Sequence, residues 1–271
     1  MSIIIGLDIG GSTTKIIGLR QDGLIDQDLV RASDPVASAF GALGKFLSHN
    51  HLIPDEIEKI MVTGVGSSYL RGDLLGVRTI RTEEFKAIGL GGLYVSDLEE
   101  AIVVSLGTGT AFVKASPVCV EHLIGSGVGG GTLQGLADRM IHIRDIDLFA
   151  ALAEQGDLSR IDLKIRDITQ DEIPGLPPDT TASNFGKRDE SATPEDIALG
   201  IVNLVFQSVG TIAVMAARAH EINTIVFTGN LSQLDQGKRV LQVFSDLYDV
   251  NVIVPELAKF ATAIGAALSG C

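Results

Sequence analysis

Two short apolar runs, each ended by a Gly-rich turn and followed at once by a second β-rich run, constrain this chain more than any other feature. Ile3 to Leu7 ends at Asp8 and Gly10-Gly11, and Thr14 to Leu19 follows. Later, Ala101 to Leu106 ends at Gly107-Thr108-Gly109-Thr110, and Ala111 to Ala115 follows. Such a strand, turn, strand pattern predicts antiparallel pairs, with glycine where the backbone bends or lets a ligand approach. Its recurrence points to an internal duplication. A third turn, Gly229-Asn230, closes a strand predicted at Thr224 to Thr228.

The rest of the chain alternates between strands and helices. After Gln21-Asp22-Gly23 a third strand is predicted around Gln27 to Arg31, and Val36, Phe40, Leu43 and Leu47 give Pro35 to His49 a helical spacing. Further strands are expected at Glu58 to Thr63 and Val77 to Arg81, then a helix from Thr82 to Tyr94 that carries Glu83, Glu84 and Phe85 at its start. The stretch Gly125-Ser126-Gly127-Val128-Gly129-Gly130-Gly131 precedes a helix from Thr132 to about Met140, and Asp147 to Gln155 continues helical. Apolar content falls from Asp162 to Thr193, where Pro174, Pro177 and Pro178 occur, so this segment reads as a loop-rich, mobile excursion. Thr193-Pro194-Glu195-Asp196 then starts a long helix, with an N-cap, Pro at the first position and acids in the first turn. A helix at Leu231 to Tyr248, a strand at Asn251 to Val254 and a small-residue helix at Lys259 to Ser269 complete an α/β pattern.

Composition removes several classes. At 45% hydrophobic and 20% charged, the 271 residues can bury one large core or two lobes. The formal charge of −13, without a Lys/Arg-rich block, disfavours nucleic acid and anionic membrane as partners, since both require clustered cations. The two cysteines, Cys119 and Cys271, cannot build a disulfide framework or a Cys-rich metal site. The opening MSIIIGLDIGG has no basic segment and reaches Asp8 too soon for a signal peptide or membrane span, which reads as cytoplasmic.

The chemistry concentrates in the turns. In DIGGSTTK, Gly10 and Gly11 let backbone amides approach phosphate oxygens, Ser12, Thr13 and Lys15 add donors, and Asp8 at a strand end is placed to hold Mg²⁺ through water. Taken alone, such a turn equally suits a plain hairpin. Gly107, Thr108 and Gly109 form an opposing turn, and Gly229 sits where an adenosine can lie against bare backbone; the three together point to nucleotide binding. No GxxxxGK[ST] occurs. The GxGxxG at Gly125 to Gly130 lacks the accompanying acid of a dinucleotide site, so it reads as a hinge or close-approach loop ahead of a helix N-terminus that can face an anion.

In order along the chain, DIGGSTTK, EEF (Glu83 to Phe85), SLGTGTAF (Ser105 to Phe112), GSGVGGGTLQGL (Gly125 to Leu136), TASNFG (Thr181 to Gly186) and VFTGN (Val226 to Asn230) closely resemble the type II pantothenate kinases. The resemblance spans essentially the whole chain. It implies a two-lobed actin-like ATPase (acetate and sugar kinase) fold with duplicated ribonuclease H-like lobes and mixed sheets. The N-terminal lobe would comprise 1–95 plus 258–271 and the C-terminal lobe 96–257. It also implies a homodimer that transfers the γ-phosphoryl of ATP to the primary hydroxyl of pantothenate, towards coenzyme A. Glu84 matches the catalytic carboxylate; without the resemblance it reads as a first-turn acid favoured by the helix dipole. Asp8, Gly10, Gly11, Ser12, Thr13 and Lys15 match the first phosphate turn, with Asp8 towards Mg²⁺, and Gly107, Thr108 and Gly109 the second. Gly129, Gly130 and Gly131 join the ATP side and Gly229 the adenosine motif, while Thr108, His122 and Gly127 lie towards the substrate. SNFG is a hallmark without a derivable role.

One departure stands out. Where the family typically carries Arg a few residues before the triple glycine, this chain has His122. Imidazole lacks the permanent charge and five-donor fork of guanidinium, so substrate or phosphoryl stabilisation is expected to be weaker or pH-dependent. If His122 is only an inert strand residue, Arg139, Arg144 and Arg166 are the alternative cations. Competing readings are a kinase of pantetheine or another small alcohol, and a regulator that binds ATP or acyl-CoA without turnover. A third is an iron–sulfur ATPase activator of hydroxyacyl-CoA dehydratases, disfavoured because neither cysteine lies in a Gly-rich turn. Coenzyme A or its thioesters are candidate feedback ligands.

Overall fold

The computed structural model describes residues 2–31 and 34–271. Strands β1 (Ile3–Ile9), β2 (Thr13–Arg20) and β3 (Gly23–Arg31) form an antiparallel meander, helix α1 (Pro35–His49) crosses over, and β4 (Ile57–Thr63) and β5 (Thr79–Arg81) follow. The sheet order is β3-β2-β1-β4-β5, with β4 parallel to both β1 and β5. Helix α2 (Glu84–Ser96) leads into a second meander of β6 (Ala101–Leu106), β7 (Thr110–Ala115) and β8 (Val120–Ser126). The second crossover is longer. It contains α3 (Gly130–Ile141), α4 (Ile146–Ala153), β9 (Leu163–Lys164), α5 (Ile165–Ile168), β10 (Thr181–Ser183) and α6 (Pro194–Ala219). It returns the chain to β11 (Thr224–Thr228), after which come α7 (Asp235–Tyr248), β12 (Asn251–Ile253) and α8 (Ala261–Leu268).

The second sheet runs β12-β11-β6-β7-β8. Position for position it repeats the first, down to the parallel pairing of β11 with β6 and β12. The duplication expected from the turns is therefore present in the topology. It extends to a detail: β4 ends at Thr63-Gly64 and β11 at Thr228-Gly229, each glycine has positive φ (84° and 89°), and each opens a 3₁₀ turn.

Apolar cores hold these layers together. Ile5, Leu7, Ile60 and Val62 pack against Leu43 and Phe46 of α1 on one face of the first sheet. On its other face Ile4, Ile17 and Met61 meet Ala263, Ile264 and Ala267 of α8. Helix α2 lies against α8 and turns Ile88 and Leu93 towards Val103, Val113 and Val226 of the second sheet. The α2/α8 pair thus fills the space between the sheets. Glycine permits that approach, since a Cβ at Gly91 or Gly265 would collide with the carbonyl of Ala261 or Ala87 on the opposing helix.

Helix α6 has the length and hydropathy to cross a membrane, yet most of it is core. Val202, Val205, Phe206 and Val209 are fully buried, Ile201 with them, and Ile197 and Ile212 pack against the same cluster. Its start follows the sequence signals: Thr193 Oγ1 accepts from the Asp196 amide while Asp196 Oδ2 accepts from the Thr193 amide.

Several predicted bounds shift for identifiable reasons. Helix α2 begins at Glu84 instead of Thr82 because the Thr82 amide donates to Val62 O and stays on the sheet edge. The helix expected from Leu231 divides into a 3₁₀ turn at Asn230–Gln233 and α7, with Leu234 extended between them. The excursion from Asp162 to Thr193 is tied down. Asp162, fully buried, accepts from the Phe185 amide at 2.9 Å and from the side chains of Asn203, Asn184 and Thr181. That carboxylate fixes the TASNFG segment onto α6 and gives SNFG its structural role: Phe185 takes a left-handed backbone (φ 55°) beneath it.

Candidate active site

The ends of β1, β6 and β11 all open on the same cleft, because the duplicated topology places each Gly-rich turn at the carboxyl end of a central strand. Gly11 and Thr108 face each other: a Cβ on Gly11 would lie 3.5 Å from Thr108 Oγ1. The third turn joins them through Asn230, whose side-chain amide donates to Thr13 Oγ1 at 3.1 Å. Gly229 sits behind, its amide donating to Ala258 O and its Cα too close to the Leu106 carbonyl for a side chain. Gly11, Ser12, Gly107 and Thr108 are exposed at the crests of their turns.

Asp8 and Lys15 are direct cross-strand partners on β1 and β2 and form a buried ion pair, Lys15 Nζ to Asp8 Oδ2 at 3.3 Å. The Gly10 amide closes the turn on Thr13 O at 3.0 Å. Asp8 Oδ1 lies against the backbone of Gly64, where a Cβ would come within 2.6 Å, so this close approach requires glycine at position 64. Among the described residues no group of three His, Cys, Asp or Glu side chains forms a metal cage. One buried carboxylate near the end of β1, beside the Gly-rich turn, suits Mg²⁺, which is commonly held by one or two carboxylates, waters and substrate phosphates.

Glu84 is the first residue of α2 and keeps access to solvent. The cleft nevertheless removes enough water to push its carboxyl above the ordinary glutamate value; the Asp8 charge raises it further, and Lys15 pulls it partly back. Glu84 is thereby coupled electrostatically to both members of the buried pair. Glu83 is the N-cap and faces the outer groove with Phe85 and Lys86.

The triple glycine buttresses the second turn. The Gly130 and Gly131 amides donate to Gly107 O and Thr108 O, both at 2.8 Å, and Gly129 leaves no room for a Cβ beside Gly109. In this structure the first amides of α3 are therefore committed to backbone carbonyls and not presented to an anion. Thr110 Oγ1 donates to Val128 O at 2.8 Å and Thr132 Oγ1 to Gly127 O at 2.8 Å, completing the brace. Gly125 and Ser126 belong to β8 itself, and Gly127 is exposed beyond it.

His122 lies on β8 with its ring stacked on Phe85, centroids 3.8 Å apart and planes 15° from parallel. Of the alternative cations, Arg144 pairs with Asp138 and Arg166 with Asp179 on the surface, and Arg139 lies in the last turn of α3. Cys119, beyond β7, and Cys271 are free, exposed and remote from the Gly-rich turns. A cavity of about 300 Å³ opens beside the first turn, lined by Gly10, Gly11, Ser38, Gly66 and Tyr69 among others. Sequence reasoning did not single out the Asn230 side chain or Gly64. The available signal was the repeated Thr-Gly at 63–64 and 228–229.

A family model described as Fumble matches residues 96–268. The type II pantothenate kinase of Staphylococcus aureus strain bovine RF122 / ET3-1 is 30% identical over 274 residues, covering 97% of both chains. That of strain MRSA252 is 29% identical over 278 residues, covering 98% of this chain and 99% of the relative. Among solved structures, the activator of the 2-hydroxyisocaproyl-CoA dehydratase from Clostridium difficile with bound ADPNP superposes with a TM-score of 0.67 at 16% identity, over 98% of this chain and 93% of that one. A ROK family glucokinase from Streptomyces griseus in complex with glucose and AMPPNP gives 0.61 at 12% identity, over 98% of each chain. At such identities these structures establish the fold, that of the two-lobed actin-like ATPases and sugar kinases.

Proposed function

The chain belongs to the type II pantothenate kinase family, and from that premise we propose that it transfers the γ-phosphoryl group of ATP to the primary hydroxyl of pantothenate, with Glu84 as the general base. The reaction is the first step towards coenzyme A. The observation that carries the catalytic assignment is the position of Glu84 as the exposed first residue of α2, with its carboxyl raised by burial and by the Asp8 charge and drawn partly back by Lys15. A carboxylate whose affinity for protons is lifted towards the working pH is a better acceptor for a hydroxyl proton.

Phosphoryl transfer asks little covalent work of a protein; positioning and charge stabilisation dominate. The crests of the two opposed turns, Gly11-Ser12 and Gly107-Thr108, would grip the phosphates from both sides. Lys15, fixed by Asp8, would place its ammonium towards the transferring oxygens. Mg²⁺, held by Asp8 through water and by the nucleotide, would neutralise charge on the phosphates. Gly229 and Asn230 would meet the nucleoside side, and Glu84 would orient the acceptor hydroxyl and take its proton.

Homodimerisation, feedback by coenzyme A or its thioesters and a cytoplasmic location belong to the same reading and rest on family membership. Since α6 spends its buried apolar residues on its own core, a partner would meet outward positions such as Thr211 and Met215, the latter 60% exposed.

The test is ADP release with pantothenate, pantetheine or no acceptor, for wild type and Glu84→Gln. Turnover that requires pantothenate and collapses in Glu84→Gln supports both the reaction and its base. Binding of ATP without turnover on any acceptor points to a regulator, and turnover on pantetheine alone to a changed substrate.

A further inference from the structure

We infer that His122 is a positioning residue: by stacking on Phe85 it pins the first turn of α2, and so the Glu84 carboxylate, to strand β8 of the second sheet. The inference rests on the kinase reading for the role of Glu84 but uses observations of its own. Phe85 adjoins Glu84 in sequence, and its ring meets the imidazole face to face at 3.8 Å and 15°. Such a separation commits one whole face of the imidazole to the phenyl ring. Both residues are exposed, Phe85 by 41%, so at this end of α2 the helix has no deep core to set its azimuth. Burial begins only at Ala87.

Further along α2 the helix is already fixed to the same hairpin. A Cβ on Gly89 would lie 2.6 Å from Val120 Cγ1, so backbone and β8 side chain touch there directly. The stack adds a second fixed point on that hairpin one turn earlier, ahead of the Ala87 and Gly91 contacts that seat α2 on α8. Between them lies a groove of about 290 Å³, lined by Glu83, Lys86 and Leu90 from the helix and by Ser116 to Val120 from the hairpin; the stacked pair closes one end of it. Replacement of the family's Arg by His thus exchanges a cation for a planar ring whose face is already used. Phe85 and His122 act through Glu84 and are not themselves assigned contact with substrate.

The variants are Phe85→Ala, His122→Ala, the double mutant, His122→Phe and His122→Arg, each assayed for kcat and for KM of both substrates. Loss of the second fixed point is expected to lower kcat by ~10- to 100-fold, the scale of a misplaced catalytic group, with both KM values within about twofold. The double mutant should be no slower than the slower single mutant, because both remove one contact. His122→Phe, which keeps a flat ring and no charge, should recover kcat to within about threefold of wild type. The inference is overturned if His122→Phe stays as slow as His122→Ala while His122→Arg recovers. It is equally overturned if the two single losses multiply, if His122→Ala is as fast as wild type, or if the loss lies in KM for pantothenate. Hydrogen exchange of the apo protein supplies a readout that survives failure of the kinase reading. The Ala87 amide, which closes the first turn on Glu83 O at 3.0 Å, should exchange faster in His122→Ala and return to the wild-type rate in His122→Phe; unchanged exchange in His122→Ala overturns the inference even if wild type proves inactive on pantothenate.

Discussion

The Asn230 side-chain amide donates to Thr13 Oγ1 at 3.1 Å, so the turn after β11 is hydrogen-bonded to the turn between β1 and β2 across 217 residues of sequence. Its Oδ1 is buried without a partner among the described residues. Asn230→Ala removes one neutral hydrogen bond, a loss of about 0.5–1.5 kcal/mol, and is expected to raise KM for ATP by ~2- to 10-fold with a smaller change in kcat. Asn230→Asp should be worse, because it sets a negative charge beside the expected phosphate site. Initial rates at saturating pantothenate over a range of ATP concentrations check both.

Glu84→Gln is expected to lower kcat by ~10²- to 10⁴-fold, the usual contribution of a positioned base. Its effect on stability has the opposite sign. The folded protein raises the Glu84 carboxyl above its ordinary value of 4.5, so the folded state binds this proton more readily than the unfolded chain does. Below 4.5 both states are protonated and nothing is lost; as pH rises through the raised value, the unfolded chain ionises freely, the folded site resists, and stability falls. Glu84→Gln should therefore raise Tm at neutral pH, and the gain should shrink as pH drops towards 4. In wild type, kcat/KM should fall as pH drops through the same raised value. Thermal melts and rate profiles across pH 4 to 8 test the pair of signs.

The architecture was legible because two signals coincided, the apolar strands and the turns that end them. Helix α1 and strands β6 and β11 fall where periodicity placed them. Contacts that depend on partners distant in sequence were not legible. Nothing local marks Asp162 as the residue that fixes Phe185 and Asn203, so the proline-bearing segment read as mobile. Nor does a run of glycines reveal whether its amides face a ligand or a neighbouring turn; Gly130 and Gly131 face Gly107 and Thr108. For His122 the residue type left two readings open, a pH-dependent substitute for Arg and an inert strand residue, and neither could show that its ring stacks on Phe85.

Gly64→Ala tests the close approach of the backbone to Asp8. The backbone there has φ 84°, and a Cβ would lie 2.6 Å from both Asp8 Oδ1 and Ile9 O. The variant is expected to lose about 1–3 kcal/mol of stability from the strained conformation. It should also raise several-fold the Mg²⁺ concentration needed for half-maximal turnover. Gly229→Ala, with φ 89° and the Leu106 carbonyl in place of Asp8, should share the stability loss without the magnesium shift. Denaturant melts and Mg²⁺ titrations of activity separate the two sites.

Asp162→Asn probes the buried anchor of the TASNFG segment. An ionised carboxylate only accepts, and here it receives the Phe185 amide at 2.9 Å on Oδ1, with Asn203, Asn184 and Thr181 donating to Oδ2. An asparagine must turn its NH₂ towards one of these sets of donors, leaving buried groups unpaired, at a cost of about 2–4 kcal/mol. The consequence should be local first, because the groups left unpaired lie at the contact between the segment and α6. Trypsin should therefore cut Asp162→Asn at Lys187 and Arg188 well before global unfolding, while wild type resists. Equal cleavage rates in the two proteins would mean that α6 and the 3₁₀ turn at Leu158–Arg160 hold the segment without the carboxylate.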